Sequence, residues 1–332
     1  MSKVPKKITG VGSPIMDLLS HVTDEFVSEH AGVKGGMELV SHDSIEQMLS
    51  RLDDFPKLAA GGSAANTIFA LAQLGSECGF VGKLGNDVQA KEYLRHFVKF
   101  GGNVGGFKYC DQDATARCLS LVTSDYNRTM RTCLGAAANL KPEEISKEDF
   151  EDFGVVHIEG YLLFNQDLIE KVLKCAKEAG CTVSLDLGSL EIVKAFRDQI
   201  AELLDKYVDI VFANEDEALA FAQTEEAKEA LEILHNHCQI AVVKLGVKGA
   251  LIKNHDGLTE IAAIPVETAI DTTGAGDYWA AGFLYGLVND YPLHLCGQMG
   301  SILGAEVVQQ LGAELPEDRW NMIKEEFSKL IF

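Results

Sequence analysis

The sequence predicts an α/β fold of three layers, αβα, in which a mostly parallel central sheet lies between helices and carries a small β lid. Three observations predict it. Short apolar and β-branched runs recur at residues 7–13, 155–160, 182–187, 209–214 and 240–246, each with the length and composition of a buried strand. Between the later runs apolar residues fall at helical spacing, as in Leu168, Ile169, Val172, Leu173 and Ala176, or Ala227, Ala230, Leu231 and Leu234. Two stretches, about 17–40 and 107–134, break this alternation.

In chain order, the run KITGVGS opens the sheet and is followed by Gly12-Ser13-Pro14-Ile15-Met16-Asp17. Residues 58–76 carry no charge, but Gly61, Gly62, Ser63, Asn66, Gln73 and Gly75 make them too polar to span a membrane, so they read as a glycine turn and a buried helix. The segment TARCLSLV within 107–134 predicts short antiparallel strands, which with 17–40 supply the lid. From residue 155 onward strand and helix alternate, implying right-handed βαβ crossovers and ligands at the C-terminal edge of the strands. YWAAGFLYGLV, from Tyr278, predicts a further helix after a glycine turn. No repeat, low-complexity segment or Pro/Ser-rich linker interrupts the chain, so a single domain with an appended lid is expected over residues 1–332.

With 332 residues, 47% of them hydrophobic, the chain can fill a sizeable core. Fifty acidic residues against 29 basic ones give a formal charge of −21, which repels polyanions and argues against nucleic acid or an anionic membrane as partner. The N-terminal residues show neither the unbroken apolar segment nor the cleavage site of a secretory signal. The eight cysteines form no C-x-x-C pair, which argues against structural zinc and for reduced thiols in the cytoplasm. His235, His237 and Cys238 close an acidic helix without a fourth ligand, so no metal site is expected there.

Asp271-Thr-Thr-Gly-Ala-Gly-Asp277 places Gly274, Ala275 and Gly276 at a helix N-terminus, where unpaired N–H groups attract anions and small residues admit a phosphate. Asp277 then reads either as a base for an attacking hydroxyl or as a cap that complements the helix dipole. Gly61-Gly62-Ser63-Ala64-Ala65-Asn66 suits close approach of a ligand, or an ordinary turn. Asp17, following the first strand, reads on its own more often as a turn or cap residue. Asn214-Glu215-Asp216-Glu217 has the spacing of a capping box. Two nucleotide motifs are missing: no Walker sequence is present, and Gly10-Val11-Gly12-Ser13-Pro14-Ile15 lacks the third glycine of a dinucleotide fingerprint.

In their order and separation these stretches resemble the signatures of the ribokinase-like, or PfkB, family of carbohydrate and nucleoside kinases, over residues 10–312. The match at 271–284 shows no departure, whereas Ile68 stands where the family usually has a small residue. The resemblance implies the ribokinase-like fold and transfer of the γ-phosphoryl group of ATP to a primary hydroxyl. Asp277 would be the catalytic base, Gly274, Ala275 and Gly276 the anion hole, and Asp17, Gly61, Gly62 and Asn66 the acceptor site. Asn214 and Glu217 would help hold Mg²⁺ and phosphate, Glu217 through water. Lys244, Gly246, Gly249 and Thr272 would border the nucleotide, with Lys244 standing where threonine is commoner, and potassium would lie near Asp271 and the Gly312 turn.

Arg128 matches an arginine that related nucleoside kinases place on the transferring phosphate, and on its own equally suits a solvated hairpin tip. The resemblance is strongest to the adenosine-kinase branch, through VDIVFANEDEAL and RTMRTCLGAAANL. Adenosine is therefore the expected acceptor, with a free sugar such as ribose, fructose or 2-keto-3-deoxygluconate as the alternative, and a monomer or homodimer the expected assembly. An adenosine site needs an apolar slot for the base, for which Met37, Phe107 and Phe164 are candidates.

Overall fold

In the computed structural model, which describes residues 6–331, the chain builds two sheets. The strands begin with β1 (Ile8–Val11), β2 (Ile15–His21), β3 (Met37–Leu39), β4 (Lys57–Gly61) and β5 (Cys78–Gly85). They continue with β6 (Gly102–Asn103), β7 (Phe107–Cys110), β8 (Ala116–Val122), β9 (Arg128–Cys133) and β10 (Val155–Glu159). The last five are β11 (Thr182–Asp186), β12 (Ile210–Asn214), β13 (Ile240–Lys244), β14 (Ala250–Asn254) and β15 (Gly257–Ile261).

The main sheet runs β15-β14-β13-β12-β11-β10-β1-β5-β6, with β7 also paired to β5. From β13 to β5 every pairing is parallel, and only the β13-β14-β15 end is antiparallel. Strands covered on both faces read as continuous apolar runs, and all five residues of β10 are accordingly buried. One face packs against helices Ser63–Gln73, Ala275–Val288 and Leu293–Val307, and the other against Gln166–Glu178, Leu190–Tyr207, Glu215–Ala222 and Ala227–His235. The helical stripe read from Leu168 to Ala176 is buried in the second of these layers. The result is the expected three-layer, mostly parallel architecture.

The second sheet has the order β3-β9-β8-β2-β4. Its β8–β9 hairpin falls where antiparallel strands were expected, while β2 pairs with β8 in parallel and β4 joins from residues read as the approach to a turn. Phe107–Cys110, by contrast, lies in the main sheet, paired with Gly82–Gly85. The reason is packing: Phe107 is buried, stacks on Phe80 and meets Tyr93 and Phe97 edge-on, a better partner set than a thin lid offers.

Strands β10, β11, β12 and β13 deliver Glu159, Asp186, Asn214 and Lys244 to one edge of the sheet. No helix among the described residues is long and apolar enough to cross a membrane. All eight cysteines are unpaired, and six are buried.

Candidate active site

The helix Ala275–Val288 starts at a turn that only glycine makes without strain, since Gly274 has a φ of +76°. Asp277 lies in its first turn and does not fold back as a cap. Ser63 Oγ donates to its Oδ1 and Asn66 Nδ2 to its Oδ2, both at 2.9 Å, and Thr67 Oγ1 donates to its carbonyl at 3.0 Å. The glycine turn at 61–62 and the one at 274–276 therefore face each other across this carboxylate. Asn66, expected on an acceptor hydroxyl, thus also orients Asp277. Burial raises the Asp277 carboxyl to about 6, against the hydrogen bond from Asn66 and with Asp186 adding to the rise.

Next to the partners of the Asp277 carboxylate, β2 and β4 pair Ile15 with Gly61 and Asp17 with Ala59. A side chain at 61 would collide with the Asp17 carboxylate, so the glycine keeps that carboxylate open. Gly62, at φ +109°, presses on the Ser13 carbonyl, where no Cβ fits. Burial pushes Asp17 up to about 6, while Arg128 pulls it down. Glu159, 2% exposed, ties this region together: it accepts from the N–H of Ser13 at 2.8 Å and of Ala64 at 3.1 Å. Burial lifts its carboxyl to about 7. Glu159 belongs to no sequence motif; its only signal is an acid closing the run VVHIE.

Arg128 is not a solvated hairpin tip. Its side chain is 9% exposed, and it donates to Asp271 Oδ2 and to Ser120 Oγ, each at 2.7 Å. Asp271 also accepts from the N–H of Thr273 at 2.9 Å and of Gly312 at 2.8 Å. Burial opposes ionisation of Asp271, but these hydrogen bonds and Arg128 hold its pKa below the usual value. The second sheet and the 271–276 turn are thus joined through one buried ion pair. Thr272, beside it, is exposed.

On the opposite side, Asn214 and Glu217 form the expected capping box: Asn214 Oδ1 accepts from the Glu217 N–H and Glu217 Oε2 from the Asn214 N–H, each at 2.9 Å. Glu217 is buried, and burial followed by Asp186 raises it to about 7. Lys244 Nζ donates to Asp186 Oδ2 at 2.7 Å. Burial works against this ammonium, but Asp186 and Glu217 keep its pKa above the usual value. Gly246 and Gly249 bound the turn between β13 and β14. Among the described residues no three His, Cys, Asp or Glu side chains gather to hold a metal directly. The buried Glu217 carboxylate beside the Asn214 side chain could reach a hydrated divalent cation only through water.

Of the three slot candidates, Phe107 is ruled out by its place in the main-sheet core. Met37 is exposed on the edge strand β3, and Phe164 is exposed and packs edge-on against Phe196.

A family model described as pfkB family carbohydrate kinase matches residues 38–320. The chain is 27% identical over 331 residues to the adenosine kinase of Saccharomyces cerevisiae, covering 93% of this chain and 96% of that protein. It is 28% identical over 277 residues to a nucleoside kinase of Methanocaldococcus jannaschii, covering 81% of this chain and 85% of that one. Among solved structures, adenosine kinase from Sinorhizobium meliloti aligns with a TM-score of 0.86 at 31% identity, over 98% of this chain and 100% of that chain.

Proposed function

The chain belongs to the pfkB family of carbohydrate kinases, and on that premise we propose that this ATP-dependent phosphotransferase, which acts on an alcohol group of a nucleoside or sugar, has adenosine as its acceptor. The observation that carries the chemistry is Asp277, fixed at both carboxylate oxygens beside the glycine turn of a helix N-terminus. A carboxylate so held can take the proton of a primary hydroxyl as its oxygen attacks the γ-phosphorus in line, while the N–H groups at Gly274, Ala275 and Gly276 receive the developing charge. Asp17, kept open by Gly61, grips the vicinal ribose hydroxyls and aims the primary one. Arg128 and Lys244 flank the turn from lid and sheet and neutralise phosphate charge, and Gly246, Gly249 and Thr272 border the nucleotide.

A bound Mg²⁺ would neutralise the phosphate oxygens, with Glu217 and Asn214 reaching it through water. Potassium near Asp271 would need backbone oxygens of the 271 and 312 turns, because the Asp271 carboxylate already accepts three hydrogen bonds and faces Arg128.

The test is ADP release by purified protein supplied with ATP and a panel of nucleosides and free sugars. Adenosine should exceed ribose, fructose and 2-keto-3-deoxygluconate in kcat/KM by roughly 10-fold or more, the worth of a single apolar pocket contact. A free sugar turned over faster than adenosine would assign the site to sugars.

A further inference from the structure

Asp186 belongs to none of the sequence motifs, yet it holds Lys244, which reaches the turn at Gly276. It ends β11, and Lys244 ends β13, with β12 between them. The two side chains are 8% and 13% exposed and meet at 2.7 Å. The other oxygen of Asp186 accepts from the Gly188 N–H at 3.0 Å, which fixes the carboxylate. From that anchor the lysine Nζ lies 3.0 Å from where a Cβ would stand at Gly276. A side chain there would push the ammonium away, so the glycine admits it to the turn. The other titratable groups facing the pair are Glu217, Asp277, His157 and Tyr161.

A buried ion pair returns little net stability once desolvation is counted, so stability alone does not account for it. An ammonium has three donors, and an unanchored one among these acids would pair with Glu217 or with Asp277 itself, pinning the base. We propose that Asp186 is a positioning residue for phosphoryl transfer, the resting counter-ion that parks Lys244 at the Gly276 turn, away from the base, and yields it to the phosphate chain of the nucleotide. The proposal rests on the kinase reading above and adds to it which residue controls the lysine.

Asp186→Asn tests it, because asparagine is isosteric, still accepts from Gly188, and loses only the charge. We expect kcat to fall by roughly 10-fold or more as the lysine drifts toward Asp277. ADP affinity by calorimetry should stay level or tighten, since a negative charge beside the phosphates is gone. The acid limb of the kcat/KM profile should move to lower pH, because Asp277 loses a like charge and gains the lysine. Lys244→Met should do the reverse, weakening ADP by about 10-fold or more and moving the limb to higher pH.

Wild-type kcat with an unmoved limb in Asp186→Asn overturns the proposal. So does a joint loss of kcat, ADP affinity and melting temperature with the limb unmoved, which is the pattern of structural damage. If Asp186→Asn does not fold, D186N/K244M leaves no unpaired charge and carries the same test: with no lysine to hold, it should turn over at the rate of Lys244→Met, and a further loss of about 10-fold in kcat overturns the proposal. Wild-type enzyme that phosphorylates neither nucleosides nor sugars would sink the kinase reading instead, and the ADP titrations would still decide whether lysine and phosphate meet.

Discussion

Asp277 is held by two neutral donors, Ser63 and Asn66, rather than by a cation, which leaves it basic enough for the proton transfer proposed for it. A direct ion pair would depress its pKa and weaken it as a base; burial instead lifts it to about 6. Two predictions follow at this scale. Asp277→Asn should keep the turn and bind both substrates, because the Ser63 hydroxyl can rotate to suit the new amide, while kcat falls roughly 10²- to 10⁴-fold. Normal turnover in a well-folded variant would return Asp277 to the role of a helix cap. Asp17→Ala should weaken acceptor binding by about 2–4 kcal/mol and leave ATP binding nearly intact, since a diol loses a charged bidentate partner; an unchanged acceptor KM would contradict this. These residues were legible because glycine spacing around an acid is a local pattern. Glu159 and Asp186 were not, since a lone acid closing an apolar run carries no sign of which distant N–H or ammonium it will meet.

At the scale of elements, period and composition revealed the βαβ body because each of its strands is buried on both faces and so reads as an apolar run. The lid was legible only in part. KLAAG of β4 looks like a turn approach because its residues are only partly covered, and its strand character comes from pairing with β2. Phe107 looked like a lid residue because its neighbours are polar, and only its aromatic partners, 27 or fewer residues before it in the chain, show that it belongs to the body. The second sheet joins the 271–276 turn through Arg128 and Asp271, so if it is the proposed lid its order should depend on bound acceptor. Acceptor binding should therefore slow hydrogen exchange in Met37–Leu39 and Arg128–Cys133 while β10–β13 stay unchanged, as a closing lid excludes water before transfer. Equal exchange with and without acceptor would mean that these strands form a fixed wall.

For the molecule as a whole, the site sets the direction in which stability responds to pH. Burial raises Asp17 and Asp277 to about 6 and Glu159 and Glu217 to about 7, against roughly 4 for such groups in an unfolded chain. A carboxyl whose folded pKa is raised binds its proton more tightly in the folded state, so folding loses stability as pH rises through the folded value. His157 opposes this: burial lowers it to about 4, so the unfolded chain takes up its proton first as pH falls below the ordinary histidine range. Glu92, lowered to about 2 by its hydrogen bond with Arg95, stays ionised throughout and contributes no slope. Four raised acids against His157 and His235, which burial also lowers, leave a net gain on acidification, reinforced as the charge of −21 is partly neutralised. The melting temperature should accordingly rise between pH 8 and pH 6, by roughly 1–2 °C for each kcal/mol gained in a chain of 332 residues. Over the same window kcat/KM should begin to fall as Asp277 protonates, so stability and activity move in opposite directions. Asp277→Asn, with one raised acid fewer, should show a shallower melting slope than the wild type. A melting temperature that drops steadily from pH 8 to pH 6, or an identical slope in that variant, would mean that these acids are not held where burial makes them costly to ionise.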